Sequence, residues 1–210
     1  MGGINKFYAK FNAAYFAFVG LIIFFIGLIP AILVQPSFSF LETHISYLGG
    51  PTNSLYLLFN ICWFITAIFI ILFIYGFTLY LQNKGFNKRW TWVMYILAFL
   101  SAIGIIGMSI FNTEQAYTFH FIFELLFFFT GILYLLGYAV LENKTTSFSK
   151  LQVLFNIIVA AFFLLYLVLL ILNRVTHGLA PEFESLAEWL FLFANLLWFF
   201  ENGVLMLRVK

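Results

Sequence analysis

The sequence predicts an all-α, polytopic integral membrane protein: six transmembrane helices with the N- and C-termini both cytoplasmic. Three observations carry that prediction. Hydrophobic residues make up 64% of the 210 positions and charged residues only 9%, with a mean hydropathy of +1.06. An ordinary soluble domain carries about a quarter charged residues, and a chain this size cannot hide so much apolar surface in one water-soluble core. Six stretches each supply the roughly 20 mostly apolar residues that a spanning helix needs. Finally, nine of the ten basic residues fall on one side of those stretches.

The spans follow in order at 13–34, 55–82, 92–111, 119–141, 151–173 and 186–207. The first is too long for a signal-peptide core and lacks a small-residue cleavage site, so it reads as a retained span. Pro36 and Pro51 bracket the loop after it. The second span is the longest and is expected to tilt or to extend past the bilayer. Lys84-Gly85-Phe86-Asn87-Lys88-Arg89 breaks it from the third, and Pro181 closes the fifth. No connection is long enough to hold a soluble unit, which predicts one six-helix transmembrane domain over residues 1–210.

Lysine and arginine set the orientation. Lys6 and Lys10 precede the first span, and Lys84, Lys88 and Arg89 lie between the second and third. Lys144 and Lys150 lie between the fourth and fifth, Arg208 and Lys210 follow the sixth, and only Arg174 falls on the opposite side. The basic side is therefore expected to be cytoplasmic, in a multi-pass protein of the cell membrane. Asn143-Lys144-Thr145 matches a glycosylation sequon but lies on the inner side, where it reads as a chance match. A net charge of +2 gives no ground for nucleic-acid binding, so membrane lipids are the expected partners and the oligomeric state stays open. The single cysteine, Cys62, sits in an apolar run and reads as packing.

The remaining polar chemistry shows the opposite asymmetry. His44, His120 and His177 fall in or beside the three outer loops, one to each, with Glu42, Glu114, Glu124, Glu182, Glu184 and Glu188 in the same zone. His120 and Glu124, four apart, share one helix face about a turn apart. Glu124 lies within an apolar run, where an ionisable group is expensive and needs a partner or a wet cavity. The pair can line an outward-opening pocket as proton-transfer groups; alternatively, Glu124 pairs with a neighbouring helix for structure alone. In the first outer loop, Glu42, His44 and Ser46 precede a Gly49-Gly50-Pro51 turn. That loop either folds over the bundle and contributes His44 or Ser46 to a site, or is a solvated interfacial segment. Glu188, placed at the opening of the sixth span, can bind a ligand or simply cap that helix. Asn60 belongs with these as a binding candidate, against a plain role in helix packing. His44, His120 and His177 could together hold a divalent metal, because catalytic zinc uses three such ligands; their spacing is not diagnostic. There is no GxSxG elbow for Ser46 and no Walker motif.

His44-Ile45-Ser46-Tyr47-Leu48-Gly49, followed by Asn53-Ser54 and Phe59-Asn60, resembles the opening motif of the membrane proteins filed as domain of unknown function 998. Ile110-Phe111-Asn112 ahead of His120 resembles that family's second motif, with Asn112 in place of a proline; Tyr47 stands where the first motif usually has aspartate. The resemblance implies a six-helix layout similar to the Frag/DRAM/Sfk proteins, some of them linked to lipid remodelling. It puts emphasis on His44, Ser46, Gly49, Asn60 and His120.

Three functions compete on this footing. One is an outward-facing enzyme acting on a lipid or lipid-linked substrate, with His44, Ser46, His120 and Glu124 as catalytic candidates and Glu42, Asn60, His177 and Glu188 as binding candidates. Another is a non-catalytic lipid-binding, scaffold or sensor protein that grips a headgroup with the same residues. The third is a transporter, disfavoured by the absence of internal repeats and of charge near the midplane.

Overall fold

In the computed structural model, residues 3–145, 148–176 and 181–208 are described. They form eight helices: α1 (Gly3–Lys10), α2 (Ala14–Val34), α3 (Ile45–Leu48), α4 (Tyr56–Asn83), α5 (Lys88–Ile110), α6 (Tyr117–Asn143), α7 (Lys150–Val175) and α8 (Pro181–Arg208). Six of them, all but α1 and α3, are long and apolar enough to cross a membrane. These are the six expected spans, with ends shifted by a few residues. The largest shift is at α8, which begins at Pro181 rather than 186. Proline suits a first helical position because its missing N–H would be unpaired there anyway, and Glu182 and Glu184 in the first turn suit the helix dipole. Pro181 thus opens the last helix instead of closing the one before it.

Side-chain caps fix two other helix starts. Asn87 accepts from the backbone N–H groups of Arg89 and Trp90 to start α5, and Ser149 accepts from Gln152 to start α7. Before Asn87, Gly85 takes φ +89° with nothing near its missing Cβ, so it serves the left-handed turn alone.

The long helices pack in chain order, each on the next, and α8 returns to close the ring against α2. Small residues let the backbones approach, as membrane packing requires. On α5, the Ser101 hydroxyl donates to the Phe127 carbonyl of α6 at 3.0 Å, and a Cβ on Gly104 would come within 2.8 Å of the Phe123 carbonyl. Between α4 and α2, Thr66 donates to the Gly20 carbonyl at 3.2 Å, and Gly27 faces Cys62. The middle of the ring is filled by Phe127, Phe128, Phe163, Tyr166 and Phe191, with ring centroids 4.6–6.0 Å apart.

At the outer end, away from the basic loops, the segment between α2 and α4 lies on the bundle. Ile45 and Leu48 of α3 are fully buried against α2 and α8. Trp189 donates to the Thr43 carbonyl at 2.9 Å, and Ser185 to that of Phe40 at 3.3 Å. Asn53 ties the end of the loop to its start by donating to the Ala31 carbonyl and the Gln35 side chain, both at 2.8 Å. The loop is therefore held down at three points.

Candidate functional site

Beneath that loop is a small cavity of about 20 Å³, open at its mouth. Its polar lining is Ser46 and Asn60, Asn112 from the turn after α5, His120 and Glu124 from α6, and Glu188 from α8. Aromatic rings from Phe59, Trp63, Phe127, Phe128 and Phe191 close its sides and floor. The first outer loop thus folds over the bundle, bringing Ser46 into one cavity with His120 and Glu124.

Glu188 organises the roof. Its Oε2 accepts from His44 Nδ1 at 2.8 Å and from the Ile45 N–H at 3.1 Å, while Oε1 accepts from the Ser46 N–H at 3.3 Å. It does not cap its own helix, because α8 begins at Pro181, seven residues earlier; it caps α3 from across the bundle. His44 therefore stands behind Glu188, edge-on to Tyr47 at 5.0 Å, and is not part of the cavity lining. Burial pulls the His44 imidazole down, but the hydrogen bond and charge of Glu188 outweigh it, so protonation is favoured above the ordinary histidine value.

His120 is held differently. Its Nδ1 lies 2.6 Å from the Phe111 carbonyl. A carbonyl only accepts, so Nδ1 carries the proton, and in the neutral ring Nε2 is left as a bare acceptor. The residue is 5% exposed, and Nε2 has no hydrogen bond of good geometry, although the Met108 carbonyl is near the ring. Buried polar atoms are normally paired, and this one belongs to a residue that lines a cavity. Glu124, one turn below and 6% exposed, accepts from the Tyr166 hydroxyl of α7 at 2.6 Å.

The two asparagines are set by the chain turns beside them. Asn60 donates to the Gly49 carbonyl at 2.9 Å, and a Cβ on Gly49 would sit 2.6 Å from the Asn60 side-chain oxygen. This close approach locks the two motif positions against each other. Asn112 accepts from the N–H groups of Glu114 and Gln115, at 3.2 and 2.9 Å, and so builds the turn leading into α6.

Other expectations fare differently. Glu42 is exposed on the loop ahead of α3 and does not line the cavity, because helix begins only at Ile45 and the chain turns it outward. His177 lies outside the described residues. His44 and His120 each commit Nδ1 to a protein acceptor, and among the described residues no group of three or more histidine, cysteine or carboxylate side chains is arranged to hold a metal. Two contributors went unpredicted. Tyr166 supplies the only hydroxyl in the 150–175 stretch, a signal that could have marked it as the partner of a buried carboxylate. Asn112 is the other.

A second polar layer lies near the basic end. Fully buried Glu142 accepts from Asn156 at 2.7 Å, Asn156 accepts from Trp198 Nε1 at 2.5 Å, and Gln152 donates to Asn202 at 3.2 Å. These bonds join α6, α7 and α8. The aromatic core separates them from the outer cavity.

No curated protein and no solved structure matches the chain. A match to one family model does exist, and it carries no link to the Frag/DRAM/Sfk group. It covers residues 18–204, and the chain belongs to the family described as protein of unknown function (DUF998).

Proposed function

We propose that the outer cavity binds the headgroup of a lipid or lipid-linked molecule, and that the group it recognises is a hydrogen-bond donor, an amine or a hydroxyl. The buried, bare Nε2 of His120 carries this reading. An acceptor without a partner in a closed site favours a ligand that donates to it, because leaving it unpaired costs about 1–3 kcal/mol. Glu124 and Glu188 add acceptor oxygens to the same lining, so the surroundings favour donors and disfavour anions.

Binding is supported ahead of nucleophilic catalysis. Ser46 makes no hydrogen bond to His120, so no nucleophile–base pair is assembled, and both carboxylates already hold framework hydrogen bonds. If the site does chemistry, His120 Nε2 is the group placed to take a proton from a bound hydroxyl or amine. Transport has less support, because the sequence shows no internal repeat.

The test compares lipids retained by purified wild-type protein and His120→Asn, by mass spectrometry. Asparagine can still donate to the Phe111 carbonyl but removes the Nε2 acceptor. Wild type should retain lipids with amine or hydroxyl headgroups, and His120→Asn should lose them about tenfold, the factor that corresponds to one hydrogen bond of about 1.4 kcal/mol. Equal retention by the folded variant refutes the proposal.

A further inference from the structure

A second, open cavity of about 320 Å³ runs along the outside of the bundle between the outer ends of α4 and α5. Its apolar lining is Leu57, Ile61 and Phe64 of α4 and Ile110 at the outer end of α5, and Leu57, Ile61 and Ile110 are 59%, 56% and 58% exposed. Its remaining lining is polar, including Ser109 and Gln115. Two residues, Asn60 and Asn112, line both this groove and the His120–Glu124 cavity.

We propose that this groove is the lateral doorway of the site. A lipid of the outer leaflet lays an acyl chain along Ile61, Phe64 and Ile110 and passes its headgroup between Asn60 and Asn112 to His120. The inference rests on the headgroup reading above and adds the class of ligand, a chain-bearing amphiphile, and its route.

Three observations support it. The route from above is covered: the loop that roofs the cavity with Ser46 and Gly49 is pinned by Asn53, Ser185 and Trp189. The shared asparagines place amide groups where a headgroup would leave the apolar phase, and the Asn60 amide donates to the Gly49 carbonyl while its side-chain oxygen lies against Gly49's missing Cβ. Phe64, about one turn further into the bilayer along α4 than Asn60, carries the apolar side of the groove below the shared amides. Groove contact alone would attract no particular lipid, because acyl chains are as apolar as the leucines they would replace. Selectivity must come from the polar end, which is why the connection between the cavities matters.

The test uses phosphatidylethanolamine and phosphatidylglycerol, each as a soluble dihexanoyl form and a long dioleoyl form, with the full chain in detergent. Ile61→Trp and Leu57→Trp fill the groove without touching the inner cavity; Leu33→Trp, at a 79% exposed position on α2, is the control. Dioleoyl binding should fall at least tenfold in both groove variants and stay within threefold in the control. Dihexanoyl binding should change less than threefold in all three. His120→Asn should weaken both lengths. Groove variants that bind dioleoyl lipid like wild type, or lose both lengths equally, overturn the doorway while leaving the headgroup site standing. Full binding by His120→Asn overturns the headgroup reading instead, whatever the groove variants do.

Discussion

Glu124 offers the sharpest test of whether the outer cavity is a site or a structural joint. Its Oε1 accepts from Tyr166 across the α6–α7 interface at 2.6 Å, with both residues buried. Glu124→Leu strands the Tyr166 hydroxyl, and Tyr166→Phe strands the carboxyl oxygen. Each should cost about 1–3 kcal/mol, the range for an unsatisfied buried polar group, with the lower half favoured because interhelical hydrogen bonds in membranes rarely exceed about 1.7 kcal/mol. Glu124→Gln keeps both the volume and a carbonyl acceptor for the phenol, so it should cost under about 1 kcal/mol. The double variant Glu124→Leu/Tyr166→Phe should cost less than the sum of its parts by about 1 kcal/mol, since two residues in contact couple. The buried, single Cys62 supplies the assay: a thiol-reactive dye reports unfolding from one position in purified protein. Ligand retention is then measured on the same samples. The expected pattern is that Glu124→Gln stays folded and loses retention. If Glu124→Gln is as unstable as Glu124→Leu, the carboxyl is a structural requirement and the reasoning fails. If it is stable and retains ligand fully, Glu124 is not part of the site.

Three further outcomes are expected. Gly49→Ala drives a methyl into the Asn60 oxygen, 2.6 Å from the ideal Cβ, and should destabilise by about 1–3 kcal/mol; adding Asn60→Ala should recover part of that loss in the same thermal assay. The His44–Glu188 pair raises the folded-state value of His44 above its unfolded value of 6.5, so its contribution is complete below about pH 6.5 and lost as pH rises through the folded value. Thermal stability should therefore fall from pH 6 to pH 8 more steeply in wild type than in His44→Gln, and equal slopes would refute the coupling. For orientation, a Cys62→Ala background carrying Ser54→Cys should label from outside intact cells and one carrying Asn87→Cys should not; both positions are exposed, whereas Asn53 beside the first is fully buried by its bonds to Ala31 and Gln35. The reverse labelling pattern overturns the inside–outside assignment.

The helices were legible in the sequence because apolar length is a one-dimensional property, and a run of 20 such residues has few other uses. Their ends were less so: α8 starts five residues early because Pro181, taken as a stop, is equally good as a first helical residue. The short α3 could not be read, since four residues carry no periodicity and its N-terminus is capped by Glu188, more than 140 positions away. The same long-range contact explains why the sequence leaves Glu188 open between binding a ligand and capping its own helix, and why it does not separate His44, behind the roof, from Ser46 in the cavity. His120, Glu124, Ser46 and Asn60 were found together because depth and motif marked them, not because their contacts were visible.

Buried glutamates show where such reading stops. A carboxyl within an apolar span announces that something must face it, and this holds for Glu124, Glu142 and Glu188. What faces each one differs: a phenol for Glu124, an imidazole and two backbone amides for Glu188, an asparagine amide for Glu142. That choice decides function. Glu188 is matched by a group that can carry a positive charge and by two N–H donors, which makes it a structural anchor. Glu124 meets only a neutral hydroxyl at one oxygen while its neighbour on the same helix face, His120, presents a bare acceptor to the same cavity. An under-paired carboxyl beside an imidazole with one unpaired nitrogen is a poor way to hold helices together, which is why the proposed ligand is one that donates.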